Sequence, residues 1–571
     1  MQFIGIRSLA LCAIMVIGGL HAMEPASGAH AATRLQIYPV APDERSDGKV
    51  SATVNDHPVT FEYFRNFPTY YYDTNYCRFA ADGPVEVALT IRPQFEHAFL
   101  RGLLTDIPYR RDGNTLHFTL PGPGHYYLQL PDLLRPIPGD PDSGTYTVAF
   151  WIDDLHKIER ERMNPDDDDV TVVTESGVVS DPQRDQTRAI QAILDQGGRI
   201  YFPAGIYRAG TLHVKGETEL YLAPGALLKA APDRDAIDSR FLYVFEQAHV
   251  RIHGPGTIDA NYDGYPRETE NIHIIDVEDS HHIALEDVCW RNCNSWAVHL
   301  YGVDQAYCRN IRILSGKDGI DPDSASDVRI EEVFIQAKDD AVAVKTRKPP
   351  KPTERVVIRN SIVASDASAL KIGTETRALM RDITFENCDV FDSDRGLILY
   401  ARDGGPIQNV TWRNIRLFMI DWPHETGGAP IQLFITRRHG LTPVRNLVID
   451  HINANVISPI GLAALAAAPL QGARLANVTL RVDPPRGSAS YFRGNIDAYT
   501  PRFNQEHVGE RPYVFKVGNH VKTTVDGLTI DWQGNRAHWA GLFPRGGEGL
   551  SVDNLIQFNQ GSLPAGTGEA P

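Results

Sequence analysis

Residues 317–346 read KDGIDPDSASDVRIEEVFIQAKDDAVAVKT. Inside that stretch DVRIEEVFI (327–335) alternates apolar and polar residues with a period of two, the pattern of a strand buried on one face. The phrase recurs as HIALEDV (282–288), RNIRIL (309–314), RVVIRNSI (355–362), RDITFENC (381–388), QNVTWRNI (408–415), RNLVIDHI (445–452) and ANVTLR (476–481). A recurrence of roughly 20 to 30 residues marks a solenoid. No helical pattern of useful length separates the phrases, so βα repeats do not fit. Strands that pair with their own next copies form parallel sheets, and each coil buries its inward residues against the coils above and below. The expected architecture is a right-handed parallel β-helix. A β-propeller would need four strands in each repeat of about 40 residues.

Upstream the rhythm changes. Short alternating runs such as KVSATV (49–54), VEVALTI (85–91), LHFTL (116–120) and YTVAFW (146–151) are separated by turn residues at 112–114 and 121–124. That spacing predicts a small β-sandwich over 33–160. MNPDDDD (163–169) reads as a solvated charged connection. DQTRAIQAIL (185–194) is a short amphipathic helix that Asp185 can cap, placed to cover the open end of a solenoid over 170–560. The fold class is therefore all-β: a sandwich followed by a parallel β-helix.

The formal net charge is −16, which argues against nucleic acid, since duplex binding needs a basic face. The first 31 residues read as an export signal: Arg7, an apolar run over 8–20, and Ala29-His30-Ala31 as a cleavage pattern. That run is shorter than the roughly 20 apolar residues of a membrane span, and no later stretch is a candidate. The expected location is periplasmic or secreted. Of six cysteines, Cys12 lies in the signal. The other five, Cys77, Cys289, Cys293, Cys308 and Cys388, form no disulfide framework, although one or two bridges are compatible with export, and no zinc-ligand spacing accompanies them.

Asp318 and Asp339 lie about one coil apart, so stacking brings them together at the strand spacing of about 4.8 Å. Asp339 and Asp340 are adjacent and face one cleft only if the backbone turns there. Paired carboxylates repel, and the pKa of one rises, as a general acid needs. Asp321, Asp323 and Asp327 read as turn residues. Calcium, which takes six to eight oxygens, is the rival use of such a cluster. No metal and no cofactor is expected.

These motifs resemble the polygalacturonase-like glycoside hydrolases of family 28 and the related dextranases of family 49. SGKDGID (315–321) is similar to the family's Asn-Thr-Asp-Gly-Ile-Asp, KDDAVAVK (338–345) to Gly-Asp-Asp-Ala-Ile-Ala-Ile-Lys, and NSWAVH (294–299) to Ser-x-Trp-x-x-His. The departures are as informative. Where the family has Gly-His-Gly-x-Ser-Ile-Gly-Ser, ASALKIGT (367–374) puts Ser368 at the histidine. Where it has Arg-Gly-x-Arg-Ile-Lys, RGLILY (395–400) puts Ile398 and Tyr400 at the cations that grip a substrate carboxylate. The resemblance implies an inverting hydrolase of an α-linked polysaccharide or oligosaccharide, with Asp339 as acid and Asp318 and Asp340 holding the water, acid and base being roughly 6.5–9.5 Å apart. The missing cations point to a neutral, dextranase-like substrate instead of galacturonate. Lys345, His299, Lys371, Tyr400, Arg395, Glu375 and Arg402 are the candidate substrate-binding residues. A true pectin hydrolase, a β-helical polysaccharide lyase and a non-catalytic glycan-binding solenoid are the alternatives.

Overall fold

The computed structural model describes residues 33–46, 48–66, 72–133, 145–265, 271–420, 428–485, 511–518, 520–543 and 550–561. The segment read as an export signal, residues 1–31, lies outside them. The chain is all-β: an N-terminal pair of sheets is followed by a right-handed parallel β-helix.

The N-terminal pair consists of a seven-stranded and a five-stranded sheet. Val85–Ile91 alternates buried and exposed positions along its whole length, as a strand with one wet face must. Its inward residues meet Phe79, Leu128, Val148 and Phe150 of the other sheet in one apolar core.

The β-helix has a 20-stranded and an 11-stranded parallel sheet. In the 11-stranded sheet Ile275, Val298, Ile320, Val342, Leu370, Leu397 and Ile431 are register partners from coil to coil, and all point into the core. Each such side chain contributes about 1.5–3 kcal/mol when fully buried, so the column holds the coils together. The longer sheet bends within each coil, and the residue at the bend has positive φ: Asn310, Glu332, Asn360, Asn387, Asn414 and His451 occupy it in successive coils. Asparagine tolerates this left-handed geometry better than most residues. Its amide then donates to the preceding coil, Asn387 Nδ2 to Asn360 Oδ1 at 3.2 Å and Asn414 Nδ2 to Asn387 Oδ1 at 2.8 Å.

The helix Thr187–Leu194 closes the first coils, burying Ile190, Ile193 and Leu194 in the solenoid core. Asp185 stands one residue before the cap position and still accepts from the Thr187 N–H at 2.8 Å. The acidic connection is tied down, not merely solvated: Arg199 pairs with Asp167 at 3.2 Å and Asp169 at 2.8 Å. A second helix, Leu155–Glu161, has no counterpart in the sequence reading. No disulfide is found among the described residues: the five cysteines they hold are free and buried, and the one or two bridges left open by the sequence are not formed.

The outer face of the seven-stranded sheet packs on the solenoid. Phe64, Tyr76, Tyr127 and Trp151 meet Leu314, Phe334, Ile362 and Phe391 in one cluster. Buried ion pairs cross the same seam, Lys157 with Asp287 at 2.7 Å and Arg312 with Asp153.

Candidate active site

Asp318 sits in the turn between strands Arg312–Ser315 and Ile320–Asp323. One coil later, Asp339 and Asp340 occupy the turn between Phe334–Ala337 and Val342–Thr346. The turns are fixed by their own hydrogen bonds. Ser315 Oγ accepts from the Lys317 N–H at 3.1 Å and donates to the Asp318 carbonyl at 2.8 Å. Two coils on from Ser315, Ser365 Oγ donates to the Asp339 carbonyl of the preceding turn and accepts from the Ala367 N–H. Gly319 is required because a Cβ there would stand 2.4 Å from the Ala341 carbonyl oxygen.

The backbone turn lets both neighbours of the Asp339–Asp340 pair face the same way as Asp318. One oxygen from each of the three lies within 4.8 Å of the others. The expected separation of 6.5–9.5 Å is therefore not found. The two motifs stack in adjacent coils, about one strand spacing apart, and their carboxylates converge on the same side. Asp318 and Asp340 are 3% exposed, and Asp339 is half-buried at the rim.

Cations distinguish the three. Lys345 Nζ lies 2.8 Å from Asp318 and 2.9 Å from Asp321, and Lys371 Nζ bonds Asp340. No ion pair or side-chain hydrogen bond of Asp339 is found among the described residues. Burial, then the charges of Asp340 and Asp318, raise its pKa to about 7. Burial also opposes ionisation of Asp340, but Lys371 and Lys345 outweigh it and hold that carboxyl below its ordinary range. Lys345, though buried, is kept charged by Asp318, Asp321 and Asp340. Asp339 is thus poised to carry a proton beside Asp340, whose carboxyl is held ionised.

Two of the turn assignments change. Asp321 and Asp323 are fully buried within a strand. Asp321 shares Lys345, and Asp323 accepts from the Arg347 backbone N–H at 2.8 Å and from its guanidinium. Their spacing of two puts both on one strand face, behind the Asp318 turn. Asp327 does lie at a positive-φ position on the surface, paired with Arg355 at 2.8 Å.

The expected substrate-binding residues divide. Lys345, Lys371 and His299 are buried supports: His299 Nδ1 is 2.6 Å from Asp276, and its Nε2 is 2.9 Å from Arg347. Arg395 bonds Ser368 at 3.2 Å. Tyr400 is half-buried, donates to Gln432 at 2.6 Å and stacks on Phe434 with centroids 5.7 Å apart. Glu375 pairs with Arg438 at 3.3 Å. Arg402 lies half-buried near that pair, and burial, then Arg438, lowers its pKa. Ile398 is buried beside Lys371 in register, so the cation stands one coil earlier and is engaged by Asp340.

A cleft of about 450 Å³ opens beside this cluster, lined by His273, Trp296, His299, Tyr301, Arg347 and Arg377. Trp296 links it to the acids, its ring 4.7 Å from Lys345 Nζ. Sequence reasoning missed Trp296 and Tyr301 as cleft walls, although Tyr301, two residues from His299 on the strand Val298–Tyr301, carries an alternation that could have shown it; Trp296 lies before that strand.

Residues 225–426 match the glycosyl hydrolases family 28. The chain is polygalacturonase-like. A "Probable polygalacturonase" of Vitis vinifera is 25% identical over 367 residues, spanning 54% of this chain and 73% of that protein. Among solved structures, Dex49A from Penicillium minioluteum is 12% identical with a TM-score of 0.51, covering 92% of this chain and 96% of its own, which shows a shared fold. A family 28 exopolygalacturonase of Yersinia enterocolitica is 15% identical with a TM-score of 0.45, over 84% of this chain and 97% of its own. In this polygalacturonase-like chain the matched stretch contains Asp318, Asp339, Asp340, Lys345 and Lys371.

Proposed function

We propose that the protein is an exported hydrolase of an α-linked neutral glycan, acting with inversion at the anomeric carbon. Asp339 protonates the departing glycosidic oxygen. A water held between Asp318 and Asp340 attacks the anomeric carbon, and its proton passes to that pair. The observation that carries the reading is the division of charge: Asp318 and Asp340 each have a lysine, and Asp339, with pKa raised to about 7, has none. A neutral substrate fits because Lys345 and Lys371 are engaged by the site's own carboxylates and Ile398 offers an incoming carboxylate no hydrogen bond. A lyase would need an uncharged Lys or Arg as base, whereas Asp318 and Asp340 keep these two lysines protonated. Export rests on the signal-like sequence over 1–31.

One measurement favours a second reading. Carboxyl oxygens within 4.8 Å of one another are closer than most inverting pairs and near the roughly 5–5.5 Å of retaining ones. Against it, a retaining nucleophile would have to leave its lysine, whereas holding a water needs only one lone pair from each carboxylate. Proton NMR of the first-formed product, taken across a panel of neutral and pectic α-linked polymers, tests both points. A β-configured product from a neutral polymer supports the proposal. An α-configured product would establish retention, and turnover restricted to pectic polymers would overturn the neutral substrate.

A further inference from the structure

We propose that His249, His281 and His282 form a surface site for one divalent transition-metal ion of the zinc and nickel class. All three are exposed and come from adjacent coils, Ala248 being the register partner of His281. His281 Nδ1 and His282 Nδ1 are 2.7 Å apart. Neighbours on a regular strand point to opposite faces; these converge because His282 is left-handed, with φ of 56°. His249, at φ 57°, occupies the same bend one coil earlier and lies ring to ring on His282, with centroids 4.6 Å apart. Its ring centroid is 6.0 Å from that of His281.

The rest of this column shows what is unusual here. At the same bend Asp327 pairs with Arg355, and Asn409 bonds Asp382. Those are pairs of opposite charge or of amide and carboxylate. Only here, among the described residues of the column, do imidazoles adjoin, with Glu217 at the preceding bend offering a carboxylate. Imidazole donors favour zinc, nickel and copper over magnesium or calcium. Zinc–nitrogen bonds of about 2.0–2.1 Å would open the His281–His282 nitrogen pair from 2.7 Å to about 3.3 Å around a tetrahedral ion. His249 must turn its ring by one rotamer to join them, an inexpensive change for an exposed side chain. The bend follows Glu278, which lines the cleft, through Asp279 and Ser280, so a bound ion would brace the cleft's rim.

The test is calorimetric titration of the full chain with ZnCl2 and separately with NiCl2 at pH 7.5. The expected result is one saturable site per chain. That site should be lost in the His281→Ala, His282→Ala double variant and weakened at least about tenfold in His249→Ala. All variants should keep the metal-free thermal midpoint and the wild-type rate of glycan hydrolysis. No saturable binding to the wild type, an unchanged affinity in the double variant, or an unchanged affinity in His249→Ala would overturn the three-histidine site.

Discussion

Lys345 reaches across one coil to Asp318, Nζ to Oδ2 at 2.8 Å, and the same ammonium serves Asp321 at 2.9 Å. The three groups are almost wholly buried, so none can exchange its partner for water. Replacing Lys345 by Met leaves two buried carboxylates without a counter-charge. Breaking such a pair costs about 3–5 kcal/mol, and denaturant titration at pH 7 should show a loss of that size.

Lys371 does the corresponding work on Asp340, and it also lowers the pKa of Asp339. In Lys371→Met both carboxyls should therefore titrate at higher pH. The acid limb of kcat/KM, set by ionisation of Asp340, moves up, and the basic limb, set by loss of the Asp339 proton, moves up with it. A pH–rate profile shifted to the alkaline side, with a lower maximum, is the expected outcome.

Asp339 itself is held protonated at a cost. Its folded pKa is raised to about 7 from an unfolded value near 4, so it stabilises the fold fully below about pH 4 and that contribution is lost as pH rises through 7. Asp339→Asn removes the ionisable group. Above pH 7 the variant should be more stable than the wild type by roughly 4 kcal/mol, the free energy of moving a pKa from about 4 to about 7, and near pH 4 the two should nearly coincide, as thermal melts at both pH values would show.

The alternation of DVRIEEVFI (327–335) and its copies made the solenoid legible, because a period of two with inward Val and Ile leaves few other architectures. The convergence of Asp318 with Asp339 was legible for the same reason: one coil of sequence is one strand spacing in space. The partners of those aspartates were not. Nothing local distinguishes Lys345, at the end of an apolar strand, from a solvated lysine, and its burial follows from Asp318 and Asp321 lying beneath it. Asp321 and Asp323 looked like turn residues because aspartate near glycine and proline usually is. Their strand position depends on where Gly319 lets the chain bend. The seam between sandwich and solenoid was invisible, since Trp151 and Phe334 meet at 5.3 Å from distant parts of the chain.

That seam supplies its own test. Trp151 is fully buried between Tyr76, at 4.4 Å, and Phe334. Trp151→Ala should cost about 3–5 kcal/mol, seen as an earlier denaturation midpoint. Because Trp151 packs on Tyr76 and Phe334 and not on the three aspartates, KM for the glycan should be unchanged at temperatures where the variant is folded.

The most direct test of the central claim compares Asp339→Asn with the wild type on two substrates: the preferred glycan, and an aryl glycoside of the same sugar whose phenolate leaves without protonation. If Asp339 is the proton donor, kcat on the glycan falls by about 10²–10⁴ while the aryl glycoside loses far less. Equal losses on both substrates, or full activity on the glycan, would contradict that role.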